Sequence, residues 1–486
     1  MKKIVLIEPS APGFHIFSRY HLPRLGLPIF AALLKQRGIN VTIYNQDIKA
    51  LDWNEIFTAD LIGISTITST VMEAYRIIAK IKAYRQELPV VIGGPHVTFL
   101  PDEALLKGAD FVIRGEGETS FMKLIDWYEN DEYKIQNING LSYKIGNKYF
   151  HNPDDNFFPS LDDLPFPDFT AIKNYEKISN VIIQTSRGCP FDCKFCSVIK
   201  MFGQNCRFHS VDYVIENLKY QLKILPKRPV FFYDDNFLIN KERTKLILEK
   251  IISEKLNIKW SAQVRIETGY DLELIKLMKR SGCNVLYIGF ESVNKAALNE
   301  FHKKQNIERY SEAINNIHKC HIRIHGMFVL GSDSDTINTS RQTAEFSLKN
   351  KLDTVQFMIL TPLPGTDTFY ELQQQNRILT YDWSLYDAHH VVFLPKKMTP
   401  LELQIISMLD ATPRFYSKLQ TLKRGVTSFL SVLLFLPNWK IKFQNFVLTG
   451  YARRLIRKWK KANLEWFNIL ETLEKLVLKR LNIKKL

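Results

Sequence analysis

Cys189, Cys193 and Cys196 fall within eight residues of one another, in the string SRGCPFDCKFCSV. Half of the chain's six cysteines are thus gathered in one short stretch. Soft thiolates at this CxxxCxxC spacing suit an iron–sulfur cluster, and three of them can hold three irons of a [4Fe–4S] cubane. The fourth iron is then open to a small molecule that carries an amine and a carboxylate. The alternative is a structural zinc knot, which wants four ligands; Cys206 and His209 are close enough in sequence to be considered for the fourth. Otherwise Cys206, Cys283 and Cys320 read as inert buried thiols. Six cysteines in 486 residues do not make a secreted-type disulfide framework.

Charged residues at the ends of apolar runs form a second set. Asp234 and Asp235 stand in FFYDDNF, Arg265 closes a third run, and Glu291 stands in YIGFES. The two aspartates can bind a polar ligand or simply cap the helix that follows. Arg265 can hold a carboxylate or make a structural ion pair. Glu291 has apolar neighbours and needs a partner if buried, which favours a functional role. A third set, in the first quarter of the chain, is small and flexible. Ser65, Thr66 and Thr68 leave space, Gly93 and Gly94 permit close backbone approach, and Gly115 with Glu116 follows another apolar run.

The elements that must position these residues are strands and helices in alternation. Apolar runs at 3–7, 40–44, 60–65, 89–92 and 110–113 read as buried parallel strands, with helices at 28–36 and 71–85 between them. The fold class is α/β, a Rossmann-like doubly wound domain over 1–128, with a ligand crevice at the carboxyl ends of its strands. No GxGxxG follows the first strand, which argues against a dinucleotide. Residues 129–179 turn polar and proline-rich and read as a linker. A second series has strands at 181–185, 229–233, 258–264, 284–290, 323–330 and 354–360, with five helices between them. That pattern predicts a full or partial β/α barrel over 180–395, with chemistry on the loops after the strands. The cysteines follow its first strand. Residues 396–486 read as a basic helical region.

Cysteines at this spacing after a first barrel strand resemble the radical S-adenosylmethionine superfamily, with Phe195 as the aromatic residue before the last cysteine. FFYDDNF resembles the family's second-strand segment, with Asp234 and Asp235 replacing the more usual GGE. YIGFES resembles the fourth-strand segment, which makes Glu291 the ribose contact. MFVLGSDSDT resembles the fifth-strand glycine motif around Gly331, and LTPLPGTDTFYELQ the sixth-strand stretch. The first domain resembles the cobalamin-binding domain of cobalamin-dependent members, on ISTITST, VIGGPHVTFLP and GADFVIRGEGE. The DxHxxG motif that supplies a cobalt-ligating histidine elsewhere is absent, and none of His15, His21 and His96 is named in its place. The resemblance implies three cofactors: a [4Fe–4S] cluster, S-adenosylmethionine and cobalamin. It implies a 5′-deoxyadenosyl radical that removes hydrogen from an unactivated carbon, followed by methyl transfer through cobalamin. It singles out no catalytic side chain. The alternatives are radical cyclisation or rearrangement without methyl transfer, and a cobalamin- or cluster-binding module without turnover.

The net charge of +16 is placed unevenly. Residues 411–486 carry 17 Lys/Arg against 3 Glu, a net of +14. A basic tail with an apolar run at 426–436 and Trp459, Trp466 and Phe467 at helical spacing can lie on an anionic membrane surface or pack on the barrel. Nucleic-acid binding ranks below both, since no RNA-binding signature appears. The stretch 381–403 resembles the branch that includes hopanoid-modifying methylases, which suggests a small-molecule or lipid-like substrate. The expected electron donor is a flavodoxin or ferredoxin. No run reaches the apolar length of a membrane span, and the first strand is too short for a secretory signal, so the expected compartment is the cytoplasm.

Overall fold

The computed structural model describes residues 1–11, 21–130, 134–155, 157–158, 160–434 and 439–480. His15 and residues 435–436 of the tail's apolar run lie outside them. The chain divides into two units, one of residues 1–190, 196–229 and 363–365, the other of residues 191–195, 230–362 and 366–486. The boundary therefore runs through the cysteine loop.

All five apolar runs of the first series become strands: β1 (Lys3–Glu8), β2 (Asn40–Asn45), β3 (Leu61–Ser65), β4 (Val90–Gly93) and β5 (Phe111–Ile113). Their pairings are parallel and their order is β2-β1-β3-β4-β5. Branched aliphatic residues buried on both faces make such strands stable only under helices. Helices Gly26–Gln36 and Val71–Tyr84 bury apolar stripes of Leu27, Ile29 and Leu34, and of Ala74, Ile77, Ile78 and Ile81. The segment expected as a linker is partly built. Within it β6 (Leu141–Ile145) and β7 (Lys148–His151) form an antiparallel hairpin that extends the sheet beyond β5. Its Tyr143 and Phe150 rings stack, a cross-strand contact hidden in a polar, turn-rich sequence.

The first unit also holds β8 (Val181–Ile183), then β9 (Ser186–Arg187), which pairs antiparallel with β10 (Arg207–Phe208). The second unit is built on β11 (Val230–Phe232), β12 (Trp260–Val264), β13 (Cys283–Glu291), β14 (Arg323–Leu330) and β15 (Thr354–Ile359), paired in chain order and parallel throughout. Phe290 and Phe328 contact Tyr310 and Phe346 of the covering helices Tyr310–Lys319 and Ile337–Lys349. Alternation then sends Tyr287, His325, Met327, Gln356 and Met358 to the opposite face, away from the helices.

After residue 399 the elements among the described residues are all helical, as the loss of strand signals implied. Helices Lys418–Leu433 and Trp439–Ala462 pack against each other, and Leu464–Arg480 follows. Trp459 and Trp466 are buried beside His390, so these two rings serve packing. His390 links Asp387 (3.0 Å) to Asn463 (2.9 Å), and Gln404 accepts from the Trp466 indole (2.9 Å).

Candidate active site

The cysteine loop leaves β9 through Gly188, whose φ is +92°. A Cβ there would stand 2.9 Å from the Asn205 carbonyl and 3.0 Å from that of Gly203, so only glycine lets the chain enter the loop. Just before it, Arg187 donates to Glu118 (2.6 Å) and faces Glu116 (3.5 Å), with both carboxylates buried. Arg207 also donates to Glu116 (2.8 Å). Glu116, named from sequence as cofactor-binding, therefore lies in a buried ion network that fixes the strand leading to Cys189. The two guanidiniums and the Phe158 N–H hold its carboxyl below the usual range despite burial.

Within the second unit, residues 191–195 are pinned by aromatic and polar contacts. Arg265 lies over the Phe191 ring at 3.9 Å. Phe195 meets Phe301 edge-on at 5.2 Å, and Lys194 pairs with Glu371 at 2.6 Å. None of the six cysteines is in a disulfide. Among the described residues no three His, Cys, Asp or Glu side chains converge as they would around one metal ion. A cubane asks for a wider spacing, because each thiolate binds a different iron. All three cysteines are partly exposed, with the approach to the first fixed by Arg187 and the stretch 191–195 held by its own contacts, which fits such a cluster.

The carboxyl ends of β11–β15 carry the charged set. Asp234 is buried at the end of β11. Asp235 opens to solvent, yet the protein crowded around its carboxyl and the charge of Asp234 push it up to about 7. Neither aspartate caps the next helix, Lys241–Ser253; Asn240 does, accepting from the Arg243 N–H at 3.0 Å. Arg265 also donates to Glu267 (2.8 Å) and to the Lys304 carbonyl (3.0 Å). Glu291 ends β13 at a break in register, with φ +58°. Its carboxylate takes a 2.8 Å bond from Lys303, and both side chains are nearly enclosed. Glu291 and the Cys193 sulfur raise the Lys303 pKa against its burial. Gly331, with φ +104°, opens a turn in which its N–H and that of Ser332 donate to the buried Asp335.

In the first sheet the strand order turns between β1 and β3, the place where doubly wound sheets bind ligands. Ser65 and Gly93 lie side by side in register there. Gly94 has φ +108°, and a Cβ on it would stand 2.2 Å from the Thr66 carbonyl. The Thr66 and Thr70 hydroxyls share a 2.9 Å bond that ties the loop back, and Thr68 is buried beside them. Gly115 donates to the Thr98 hydroxyl (3.1 Å), and a Cβ on it would meet nothing within 4 Å. The ends of β3 and β4 thus present small groups and closely approaching backbone, beside β1's terminal Glu8, which pairs with Arg24 (3.2 Å) as Arg24 donates to the Ser65 carbonyl (2.8 Å). His96 is buried near Glu103 (3.6 Å), and His21 bonds the Lys177 carbonyl (3.2 Å).

Comparison with known proteins finds two families along the chain. The B12 binding domain family matches residues 18–125, and the radical SAM superfamily matches residues 183–346. An uncharacterized methyltransferase of Pyrococcus horikoshii is 31% identical over 82% of this chain and 89% of its own length. The bacteriochlorophyllide d C-12(1)-methyltransferase of Chlorobaculum tepidum is 30% identical over 93% of this chain and 94% of its own. The chain belongs to the cobalamin-dependent radical SAM methyltransferases. Among solved structures, the radical S-adenosylmethionine methyltransferase TsrM of Kitasatospora setae, with cobalamin and a [4Fe–4S] cluster bound, superposes with a TM-score of 0.69. It is 14% identical, over 93% of this chain and 100% of that one.

Two residues were missed by sequence reasoning. Lys303 lies 12 positions beyond Glu291 and carries no motif; only folding brings it to the carboxylate. His325 had a signal, the two-residue alternation of RIHGMFVL, which places His325 and Met327 on one strand face. Enclosure by protein pulls its ring down to about 4, so it is neutral at physiological pH.

Proposed function

We propose that this enzyme methylates an unactivated carbon of a largely apolar, lipid-like small molecule bound against the helix-free face of β11–β15. The observation that carries the substrate class is the lining of that face. Phe231, Tyr287, Met327 and Met358 stand there among uncharged polar side chains, Ser261, Gln263, His325, Thr354 and Gln356. The Phe231 and Tyr287 rings meet at 5.8 Å, and Tyr287 and His325 at 5.1 Å. Such a wall favours a largely apolar body through contact area and offers uncharged polar groups to orient it.

A [4Fe–4S] cluster, S-adenosylmethionine and cobalamin are the cofactors, and together they supply radical generation and methyl transfer, chemistry that side chains lack. The chain's own residues bind and orient them. Cys189, Cys193 and Cys196 hold the cluster, with Phe195 packing the loop. Asp234, Asp235, Arg265, Glu291 and the Gly331 turn offer donors and acceptors suited to a zwitterionic nucleoside conjugate. Lys303 holds the Glu291 carboxylate in one position through their 2.8 Å bond. Ser65, Thr66, Thr68, Gly93, Gly94 and Gly115 form a seat of small residues for cobalamin; Glu116 acts by positioning the approach to Cys189. His325 bonds Thr354 at 2.8 Å and presents a neutral imidazole to the substrate. A flavodoxin- or ferredoxin-type donor supplies electrons in the cytoplasm, and the basic helices make peripheral contact with a membrane surface.

The test is anaerobic purification with cobalamin supplied, followed by iron, cobalamin and 5′-deoxyadenosine analysis with apolar candidate substrates. One CH₂ gained per turnover is the expected result. A product of unchanged carbon count, with 5′-deoxyadenosine released, would replace methylation by a rearrangement.

A further inference from the structure

The helices Lys418–Leu433 and Trp439–Ala462 have two unlike sides. One side is anchored. Arg424 donates to the Asp353 carbonyl (2.8 Å), the Leu352 carbonyl (3.2 Å) and the Thr449 hydroxyl (2.8 Å), while the Asn445 amide donates to the Asp353 carboxylate. These bonds fasten both helices to the start of β15. At helical spacing the opposite side of the first helix carries Leu422, Val426, Phe429 and Leu433, all exposed; Phe429 is 68% exposed and Leu422 65%. The side of the second helix opposite Asn445 carries Phe443 and Val447, then Arg454, Lys458 and Lys461, again all exposed. Gly425 lets the helices close up, since a Cβ there would stand 3.1 Å from the Phe446 ring. Between them runs an apolar groove of about 710 Å³, lined by Leu422, Val426, Phe429 and Phe443.

Charge identifies the occupant. Residues 411–464 contain 12 Lys/Arg and no Asp or Glu. A second protein copy brings the same positive charge to the same face and is repelled. An anionic bilayer is attracted by the bases and takes up the apolar stripe. No described helix is long and apolar enough to cross a membrane, so the helices would lie in its interface. We infer that this helical pair is an anionic-lipid docking surface, with the Leu422–Val426–Phe429–Leu433 stripe set among the acyl chains and Arg454, Lys458 and Lys461 on the headgroups. This rests only on the peripheral-contact part of the reading above and is independent of the radical chemistry. An enzyme held there would meet a lipid-like substrate in the phase where it concentrates.

Vesicle flotation of the full chain tests it. The wild type should float with phosphatidylglycerol-containing vesicles and not with phosphatidylcholine alone. Replacing Arg454, Lys458 and Lys461 together by Gln should weaken partitioning about a hundredfold, roughly fivefold per base removed. Phe429→Ser with Leu433→Ser should weaken it about tenfold at constant charge, and both changes fall on exposed positions that leave the fold intact. No flotation, flotation indifferent to lipid charge, or variants that float like the wild type would overturn the inference. So would lipid-independent dimerisation abolished by the Phe429 and Leu433 changes, which would give the stripe to a second copy. A protein that floats but releases no 5′-deoxyadenosine would sink the catalytic reading and leave this one standing.

Discussion

Both sheets carry the residues singled out from sequence at the carboxyl ends of their parallel strands, and they arm those ends in different ways. In the first sheet β3 and β4 end in small, uncharged residues, Ser65, Thr66, Gly93 and Gly94, and the charges beside them, Glu8 and Arg24, are paired with each other at 3.2 Å. In the second the ends are charged and partly enclosed: Asp234, Arg265 and Glu291, with Lys303 folded onto the last. A wide planar ligand needs room and close backbone approach; a zwitterion needs opposite charges in fixed places. The contrast teaches that the architecture provides a location, and the residues at the strand ends choose the chemistry.

The sharpest way to break this comparison is at the cysteines. Cys193→Ala should abolish both the [4Fe–4S] absorption after anaerobic reconstitution and all turnover, while cobalamin still binds. A full iron content in that variant would remove the cluster from the second site. Next in size is Gly94→Val. With φ +108° and the Thr66 carbonyl 2.2 Å from any Cβ, it should cost about 3 kcal/mol of stability and remove bound cobalamin. Gly115→Ala meets no atom within 4 Å and should cost only about 1 kcal/mol for its φ of +71°, with cobalamin retained. Denaturant melts with cobalamin absorbance separate the two; equal losses would mean that the first sheet's glycines serve folding alone.

Smaller still, Glu291→Gln breaks a buried pair and should weaken S-adenosylmethionine binding about tenfold or more, at unchanged cobalamin affinity. Calorimetric titration with each ligand checks this, and a parallel loss of cobalamin would erase the distinction between the two ends. The smallest effect lies outside both. Asp387 is held down to about 2, against its burial, by His390. A carboxyl depressed in the folded state stabilises above its unfolded value near 4 and loses that contribution as pH falls toward 2. Up to about 2 kcal/mol should go over that window. His390→Gln should flatten this limb of the melting-temperature profile and leave both cofactor affinities at pH 7 unchanged.

Much of this was legible in the chain. The CxxxCxxC spacing is local, since the ligands sit on one loop and need no fold to bring them near. The strands of both series were legible because buried parallel strands are continuous aliphatic runs. The hairpin of β6 and β7 was not, because its stability comes from pairing to β5, which a polar stretch does not announce. Glu116 was singled out for its place after a strand, yet its partners Arg187 and Arg207 lie 71 and 91 residues away.

The sequence by itself determined the cluster chemistry, the α/β class and the order of the domains, because each depends on residues near one another along the chain. Only the tertiary structure decided that Lys303 serves Glu291 and that Asn240, not an aspartate, caps the next helix. It alone divided the basic tail into a side anchored by Arg424 and a side exposing Phe429. Those facts depend on contacts between distant segments, and spacing along a chain carries no record of them until folding closes the loops between.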